Sequence, residues 1–284
     1  MSHYSINKSD LQKMVGFGVA GNFAGHLEQA GETPDFVNVQ TASTNAPKGI
    51  FPYYVTGSNK QIGAYPLSST EIHYPKNLDD NAHLQAEPEV CIVFNVSYDD
   101  GKVTQLTPKA FAAFNDCSIR KPGAKKISEK KNWGASTKGV SQNFIALERF
   151  EKGCELDNFH IASFLKRDGQ IHTYGKDSSV LTYSYFHKLL KDWMIEKLNH
   201  QQDSGPLENL HQILQQSGYP KNIIISLGAT TYTEFGETVF LQPGDEVAIY
   251  VYDASQNSAE DVFAHLTGQK TELTNSSILQ QKIV

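Results

Sequence analysis

Leu84-Gln85-Ala86-Glu87-Pro88-Glu89-Val90-Cys91-Ile92-Val93-Phe94 places two acids at the mouth of a continuous apolar run. The run reads as a buried strand. Residues i and i+2 of a strand point to one face, so Glu87 and Glu89 project together. Two carboxylates side by side repel unless something positive joins them. A second apolar run, Ala112-Ala113-Phe114-Asn115-Asp116-Cys117-Ser118-Ile119-Arg120, ends on a third acid, Asp116. Brought in from a neighbouring strand, Asp116 would complete an oxygen-only site for a hard divalent cation. About one Glu-x-Glu pair is expected by chance in a chain of this size. Taken alone, the pair therefore reads as a solvated strand edge, and the surrounding pattern has to carry the cation reading.

The chain has 284 residues and a net charge of −6. That length suffices for one large domain or two modest ones. Lysine and arginine are scattered, and without a basic stripe to meet phosphates a nucleic-acid partner is not expected. The three cysteines, Cys91, Cys117 and Cys154, form no CxxC pair, and this sparse use suits a reducing compartment. Met1-Ser2-His3-Tyr4-Ser5-Ile6-Asn7-Lys8 lacks the apolar run of a signal peptide, and no stretch approaches the length of a membrane span. The expectation is a soluble, cytoplasmic protein with no membrane partner.

Strand signals dominate, at Met14–Val19, Phe36–Val39, Val90–Val96, Ala110–Asn115, Asn143–Leu147, Phe159–Lys166, Asn222–Leu227, Thr238–Leu241 and Glu246–Tyr252. Tyr98-Asp99-Asp100-Gly101, Arg167-Asp168-Gly169 and Gln242-Pro243-Gly244-Asp245 supply turn chemistry between them. Helices are expected over Tyr183–Leu198 and Leu207–Gln216, with a short candidate at Ala259–Leu266. Most strands precede the paired helices and do not alternate with them. That favours an α+β, β-rich fold over a Rossmann-type sheet. The domain is expected over residues 1–255, with 256–284 as a polar extension packed on its surface.

Gly16-Phe17-Gly18-Val19-Ala20-Gly21 fits GxGxxG. A dinucleotide site also requires a strong strand before the glycines and an acid ending the next strand. Only Leu11, Met14 and Val15 are apolar before Gly16, and no acid stands around Gln40-Thr41. The glycines read instead as a place where the backbone passes close to a ligand or another strand. Beyond them His26 can serve as a base near neutral pH, or simply as a hydrogen-bonded structural histidine. Lys130 and Lys131, with Lys125 and Lys126, read as a solvated basic loop, or as a source of counter-charge for the three acids.

Together and in this order, these segments resemble the fumarylacetoacetate hydrolase superfamily. Its members carry an Asn-Tyr-x-x-His motif, here Asn22-Phe23-Ala24-Gly25-His26. The Glu-x-Glu entry to a strand is Glu87-Pro88-Glu89, and the Asn-Asp-x-Ser-x-Arg motif is Asn115-Asp116-Cys117-Ser118-Ile119-Arg120. Lys130-Lys131-Asn132-Trp133-Gly134-Ala135 matches a Gly-Lys-Ser-Phe-Gly-Thr-like segment. Arg167-Asp168-Gly169-Gln170, Ser226-Leu227-Gly228-Ala229-Thr230 and Leu241-Gln242-Pro243-Gly244-Asp245 match the later ones. The resemblance implies a rolled mixed β-sheet with few helices, in a homodimer. It implies Mg²⁺, or Mn²⁺ or Ca²⁺, held by Glu87, Glu89 and Asp116. It implies His26 as base, Lys131 as the catalytic lysine, and Arg120, Gly134 and Thr230 against the substrate. The implied activity is that of a hydrolase or lyase acting on a small 2-oxo or diketo acid, acylpyruvate- or oxaloacetate-like, through a metal-stabilised enolate. One departure bears on the reaction. Where many members carry an acid three residues after the histidine, this chain has Gln29, which can orient water but cannot accept a proton. The alternative is a metal- or ligand-binding member of the same fold that has lost turnover.

Overall fold

The computed structural model describes residues 1–39, 41 and 43–284; Gln40 lies outside the described residues. The Val90–Phe94 run belongs to a strand, Pro88–Asp99, paired antiparallel with Lys102–Asn115. Asp100 and Gly101 both have positive φ at the turn between them, as Asp168 and Gly169 do between Phe159–Arg167 and Gln170–Ser179. Two successive positive φ values match the right-handed twist of the flanking strands, which is why Asp-Gly marks both hairpins.

The first sheet has nine strands. Its central path runs from Lys102–Asn115 through Pro88–Asp99, Asn222–Ser226 and Val15–Ala20 to Gly49–Tyr54. Asn222–Ser226 runs parallel to Val15–Ala20 and antiparallel to Pro88–Asp99, so the sheet is mixed. The second sheet orders Gln170–Ser179, Phe159–Arg167, Glu246–Asp253, Ser276–Ile283 and Glu71–Ile72. Val90, Ile92 and Phe94 pack toward that second sheet, in one core with Ile161, Leu165, Ile249 and Leu279. Cys91 and Val93 point the other way, into a second cluster with Phe51, Tyr53 and Phe114. Burial on both faces explains why the run is continuously apolar rather than alternating. Helix His187–His200 buries Leu190, Met194 and Leu198, one per turn, while Leu189 of the predicted face is 55% exposed. No helix among the described residues is long and apolar enough to cross a membrane.

Three expectations change. Phe36–Val39 is not a strand: Thr33–Phe36 is a 3₁₀ turn and Val37 is exposed. Pro34 sits at its start, where a missing N–H costs nothing. The partner of Val15–Ala20 is instead Gly49–Tyr54, which the proline in Phe51-Pro52-Tyr53 obscures. Pro52 falls at a register irregularity on the last strand of the path, where a ladder tolerates it. Thr238–Leu241 is not a strand either: Thr238 ends a short helix, Glu234–Thr238, capped by the Thr233 side chain. Finally, the polar segment after 255 supplies Ser276–Ile283, a strand inside the second sheet between Glu246–Asp253 and Glu71–Ile72. Its inward polar residues are satisfied: Ser277 accepts from the Ala113 N–H, and Gln281 bonds Asn115 and the Ser68 and Glu71 carbonyls.

The glycine motif is a strand and not a phosphate loop. A Cβ at Gly16 would meet the Tyr53 ring at 2.2 Å, and one at Gly18 the Phe51 ring at 2.3 Å. The glycines leave room for the aromatic rings of the neighbouring strand to lie across the backbone.

Candidate active site

Glu87 and Glu89 flank Pro88 at the start of one long strand, and Asp116 follows the end of its partner. The ladder places Pro88 opposite Asn115 and Glu89 opposite Phe114, so the three acids meet at one end of the sheet. The Asp116 N–H donates to the Glu87 carbonyl, and the Glu87 N–H to Asn115 Oδ1. All three carboxylates are buried, and one oxygen from each lies within 4.8 Å of the others.

Four buried cations surround them. Lys131 Nζ donates to Glu87 Oε2 at 2.8 Å and to Asp116 Oδ2 at 2.6 Å. Lys138 Nζ stands 3.0 Å from Asp116 Oδ1 and also donates to the Cys117 carbonyl. Arg120 donates to Gln85 and Glu32 and lies 2.8 Å from Glu87 Oε1, at an angle too oblique for a hydrogen bond. Lys130 joins Glu32 and Asp35 at 2.8 and 2.7 Å. Lys130 and Lys131 are therefore not part of a solvated loop, being 3% and 2% exposed. Glu32, Asp35, Glu87, Glu89 and Asp116 thus face four cations, which leaves one acid without counter-charge.

The counter-charge is uneven across the acids. Burial alone would raise the Glu87 carboxyl, but Lys131 and Arg120 outweigh it and hold it well below the usual range. Burial likewise opposes ionisation of Glu32, yet Arg120, Lys131 and Lys130 bring it down to about 2. Glu89 is the exception. It takes one hydrogen bond, from the Gly228 N–H at 2.8 Å, and no salt bridge among the described residues. Burial, Asp116 and Glu87 push it well above the usual range. A hard, three-carboxylate donor set with one member lacking counter-charge fits a divalent cation. The Lys131 ammonium now bridges two of those members and would have to yield an oxygen to an incoming ion.

His26 opens a short helix, His26–Gln29, and faces the same cavity. Its Nδ1 lies 3.0 Å from the Thr230 carbonyl. A carbonyl can only accept, so Nδ1 carries the proton and the neutral ring keeps its lone pair on Nε2. Burial depresses the His26 pKa, with Glu87 pulling the other way, so the ring is neutral at physiological pH. Asn22 fixes the approach of this segment by bonding the Leu227 and Tyr185 carbonyls and the Tyr185 N–H.

Of the predicted residues, His26, Glu87, Glu89, Asp116 and Lys131 line one cavity with Glu32, Phe51 and Ala229. Arg120 reaches it only through Glu87 and Glu32. Gln29 turns away: its amide accepts from the Tyr232 N–H and donates to the Tyr232 carbonyl and Glu237. Gly134 lies outside the lining, and Thr230 contributes its backbone carbonyl, its own hydroxyl being buried without a partner. Glu32 and Lys138 join the site without a sequence motif to mark them. Glu32 is six residues beyond His26, past the helix end, where helical spacing gives no guide. The cavity holds about 20 Å³, room for one ion or water. Larger hollows of about 600 and 660 Å³ elsewhere contain none of the three carboxylates.

Solved structures with the same architecture define the class. The Cg1458 protein, crystallised with inhibitor, superposes with a TM-score of 0.52 at 16% identity, over 95% of this chain and 76% of that one. A protein from Yersinia pestis CO92 assigned to the fumarylacetoacetate hydrolase family gives 0.51 at 14% identity, over 95% and 93%. The fold is that of the fumarylacetoacetate hydrolase superfamily, in divergent form. The chain belongs to a family of unknown function, DUF5718, whose pattern matches residues 32–283. No protein of curated function matches its sequence.

Proposed function

We propose that the protein is a divalent-cation-dependent enzyme that breaks a C–C bond in a small 2-oxo or diketo acid, by hydrolysis or decarboxylation. One observation carries this reading: three buried carboxylates on adjoining strand ends share a cavity with a neutral histidine whose Nε2 is unprotonated. Glu87, Glu89 and Asp116 would hold Mg²⁺ or Mn²⁺, which when bound supplies Lewis-acid stabilisation for a developing enolate. His26 Nε2 takes a proton from water or substrate. Glu32, kept ionised by Arg120 and Lys130, is the second carboxylate beside His26 and can steady the imidazolium that results. Lys131, released from one carboxylate, offers its ammonium to a substrate carboxylate or enolate oxygen. A 2-oxo acid is far larger than the present cavity, so substrate entry requires its lining to open. A homodimer in a reducing cytoplasm is part of the same proposal.

The second reading, a binding protein without turnover, draws on Gln29, whose side chain is occupied with Tyr232 and Glu237. Pyruvate release from an acylpyruvate and from oxaloacetate, with Mg²⁺ or Mn²⁺, separates the two. Wild type should turn over oxaloacetate above the metal-only blank, and His26→Ala should lose about 10²–10⁴-fold on a substrate that needs the base. No turnover of either substrate by any variant would leave the binding reading standing.

A further inference from the structure

A second group of metal-ligating side chains lies outside the carboxylate cavity. Cys154, Asp157 and His187 each offer one donor atom, and the three donors lie within 4.8 Å of one another. Cys154 and Asp157 are three residues apart, spanning the cap and third residue of the 3₁₀ turn Glu155–Asn158. Three residues per turn sets side chains at i and i+3 on one face. Cys154 Sγ stands 3.5 Å from Asp157 Oδ1, and His187 Nε2 reaches the same oxygen at 2.5 Å. The other Asp157 oxygen is pinned by the Gly153 N–H at 2.8 Å. Cys154 is buried, whereas the Asp157 and His187 side chains are 15% and 16% exposed, so one side of the group is open to water.

The backbone at His187 is the second observation. It opens the long helix His187–His200 with φ of +52°, a left-handed conformation that is strained for a residue bearing a Cβ. Such strain persists only where the surroundings hold it, and here it turns the imidazole toward Asp157. Two ordinary explanations fit less well. A nucleophilic Cys–His pair needs the thiol on the imidazole, but Asp157 lies between them and receives both. A plain Asp–His pair has no use for a buried thiol aimed at the same oxygen.

We infer that Cys154, Asp157 and His187 form a site for a zinc-class divalent ion, clipping the 153–158 loop to the start of the His187–His200 helix. One sulfur, one nitrogen and one oxygen ligand are the donor set such ions take, and a water fills the fourth tetrahedral position. Tetrahedral bonds of about 2.0–2.3 Å place donors roughly 3.3–3.7 Å apart. The Cys154–Asp157 spacing already meets this, and the His187–Asp157 spacing must open as the ion replaces their hydrogen bond. On loading, the Cys154 thiol gives its proton to solvent, and the His187 proton that bonds Asp157 from Nε2 is exchanged through solvent for one on Nδ1, which frees Nε2 for the ion. No electron is transferred. The site shares no residue with the Glu87–Glu89–Asp116 cluster and stands independently of the reading given to that cluster.

The test is a Co²⁺ titration of the reduced, full-length protein, followed by absorption. Wild type should develop a thiolate-to-cobalt charge-transfer band in the near ultraviolet, together with visible bands of tetrahedral intensity, and Zn²⁺ should bleach both. Cys154→Ser should abolish the charge-transfer band. Asp157→Asn and His187→Gln should weaken Co²⁺ binding by roughly 100-fold or more. Glu89→Gln, in the other cluster, should leave the band unchanged. A wild-type protein without the band at saturating Co²⁺, or a band that survives in Cys154→Ser, overturns the assignment. Circular dichroism on each variant keeps a folding defect from being read as ligand loss. If Cys154→Ser proves unfolded, the Asp157→Asn and His187→Gln titrations decide alone, and unchanged Co²⁺ affinity in both overturns the assignment.

Discussion

Removing the Lys131 ammonium is the sharpest test of the buried charge cluster. In Lys131→Met the hydrocarbon stem is largely retained against Phe51, whose ring centre lies 4.9 Å from Nζ. The loss is therefore mainly of charge. Two contacts vanish, at 2.8 Å to Glu87 and 2.6 Å to Asp116, in a site where all three groups are buried. Breaking a buried ion pair by removing one partner costs about 3–5 kcal/mol. For 284 residues the unfolding entropy is roughly 0.6 kcal/mol per kelvin, so the melting temperature should fall by about 5–8 °C. The sign with pH follows from Glu87. Its folded pKa is depressed, so its contribution is present above the unfolded carboxylate value and is lost as pH falls through the folded one. The deficit of the variant should accordingly be largest at pH 7–8 and shrink on acidification. Mg²⁺ should stabilise the variant more than wild type, because an ion no longer competes with the ammonium and any ligand of the native state raises its stability by mass action. Thermal melts at about pH 3.5 and about pH 8, either side of the unfolded carboxylate value, with and without Mg²⁺, supply all four comparisons. A variant melting within a degree of wild type at pH 8 without metal would refute the reasoning, since the two ion pairs would then contribute nothing.

Further outcomes can be checked by the same melts and by binding assays. Burial lifts the Glu208 carboxyl to about 7, against the opposing pull of Ser128 and Lys126. With the folded pKa above the unfolded one, stability is lost as pH rises through about 7, so Glu208→Gln should stabilise by up to about 3 kcal/mol at pH 8 and be near neutral at pH 4.5. Gly16→Ala should destabilise by about 1–3 kcal/mol through overpacking against the fully buried Tyr53 ring, measurable by urea unfolding. In Glu89→Ala the Mg²⁺-induced rise in melting temperature should disappear, and a shift equal to that of wild type would remove Glu89 from the ligand set. Calorimetry with NADH should give no saturable micromolar binding, because the Gly16–Gly21 segment lies within and just beyond the Val15–Ala20 strand and is followed by no phosphate-facing helix N-terminus of useful length.

The local rules carried a large part of the architecture. Apolar continuity located the Pro88–Asp99 and Lys102–Asn115 strands, and Asp-Gly pairs located two hairpins, because both signals arise from the chain's own backbone and immediate neighbours. The Glu87–Glu89 alternation and the acid ending the next run brought three carboxylates together on paper, and strand period and antiparallel pairing place them together in space. What depends on distant partners was not legible. Gly49–Tyr54 hides its strand behind Pro52, which only the last position of a sheet path tolerates. Ser276–Ile283 looks like a surface segment because its inward Ser277 and Gln281 are polar, and their partners, Ala113, Asn115, Ser68 and Glu71, are more than 160 residues away. Lys130 and Lys131 read as part of a solvated basic stretch, or as counter-charge, until tertiary packing buries them against Glu32, Glu87 and Asp116. Gln29, which stands where the superfamily resemblance calls for an acid, is turned by packing onto Tyr232 and Glu237, and Glu32 takes the place beside His26. The sequence by itself determined the central buried strands and the acids at their ends, since those depend on apolar continuity, periods of two and turn stereochemistry. The tertiary structure decided which charges are neutralised, because burial and pairing set the ionisation of a side chain and neither is written in its neighbours along the chain.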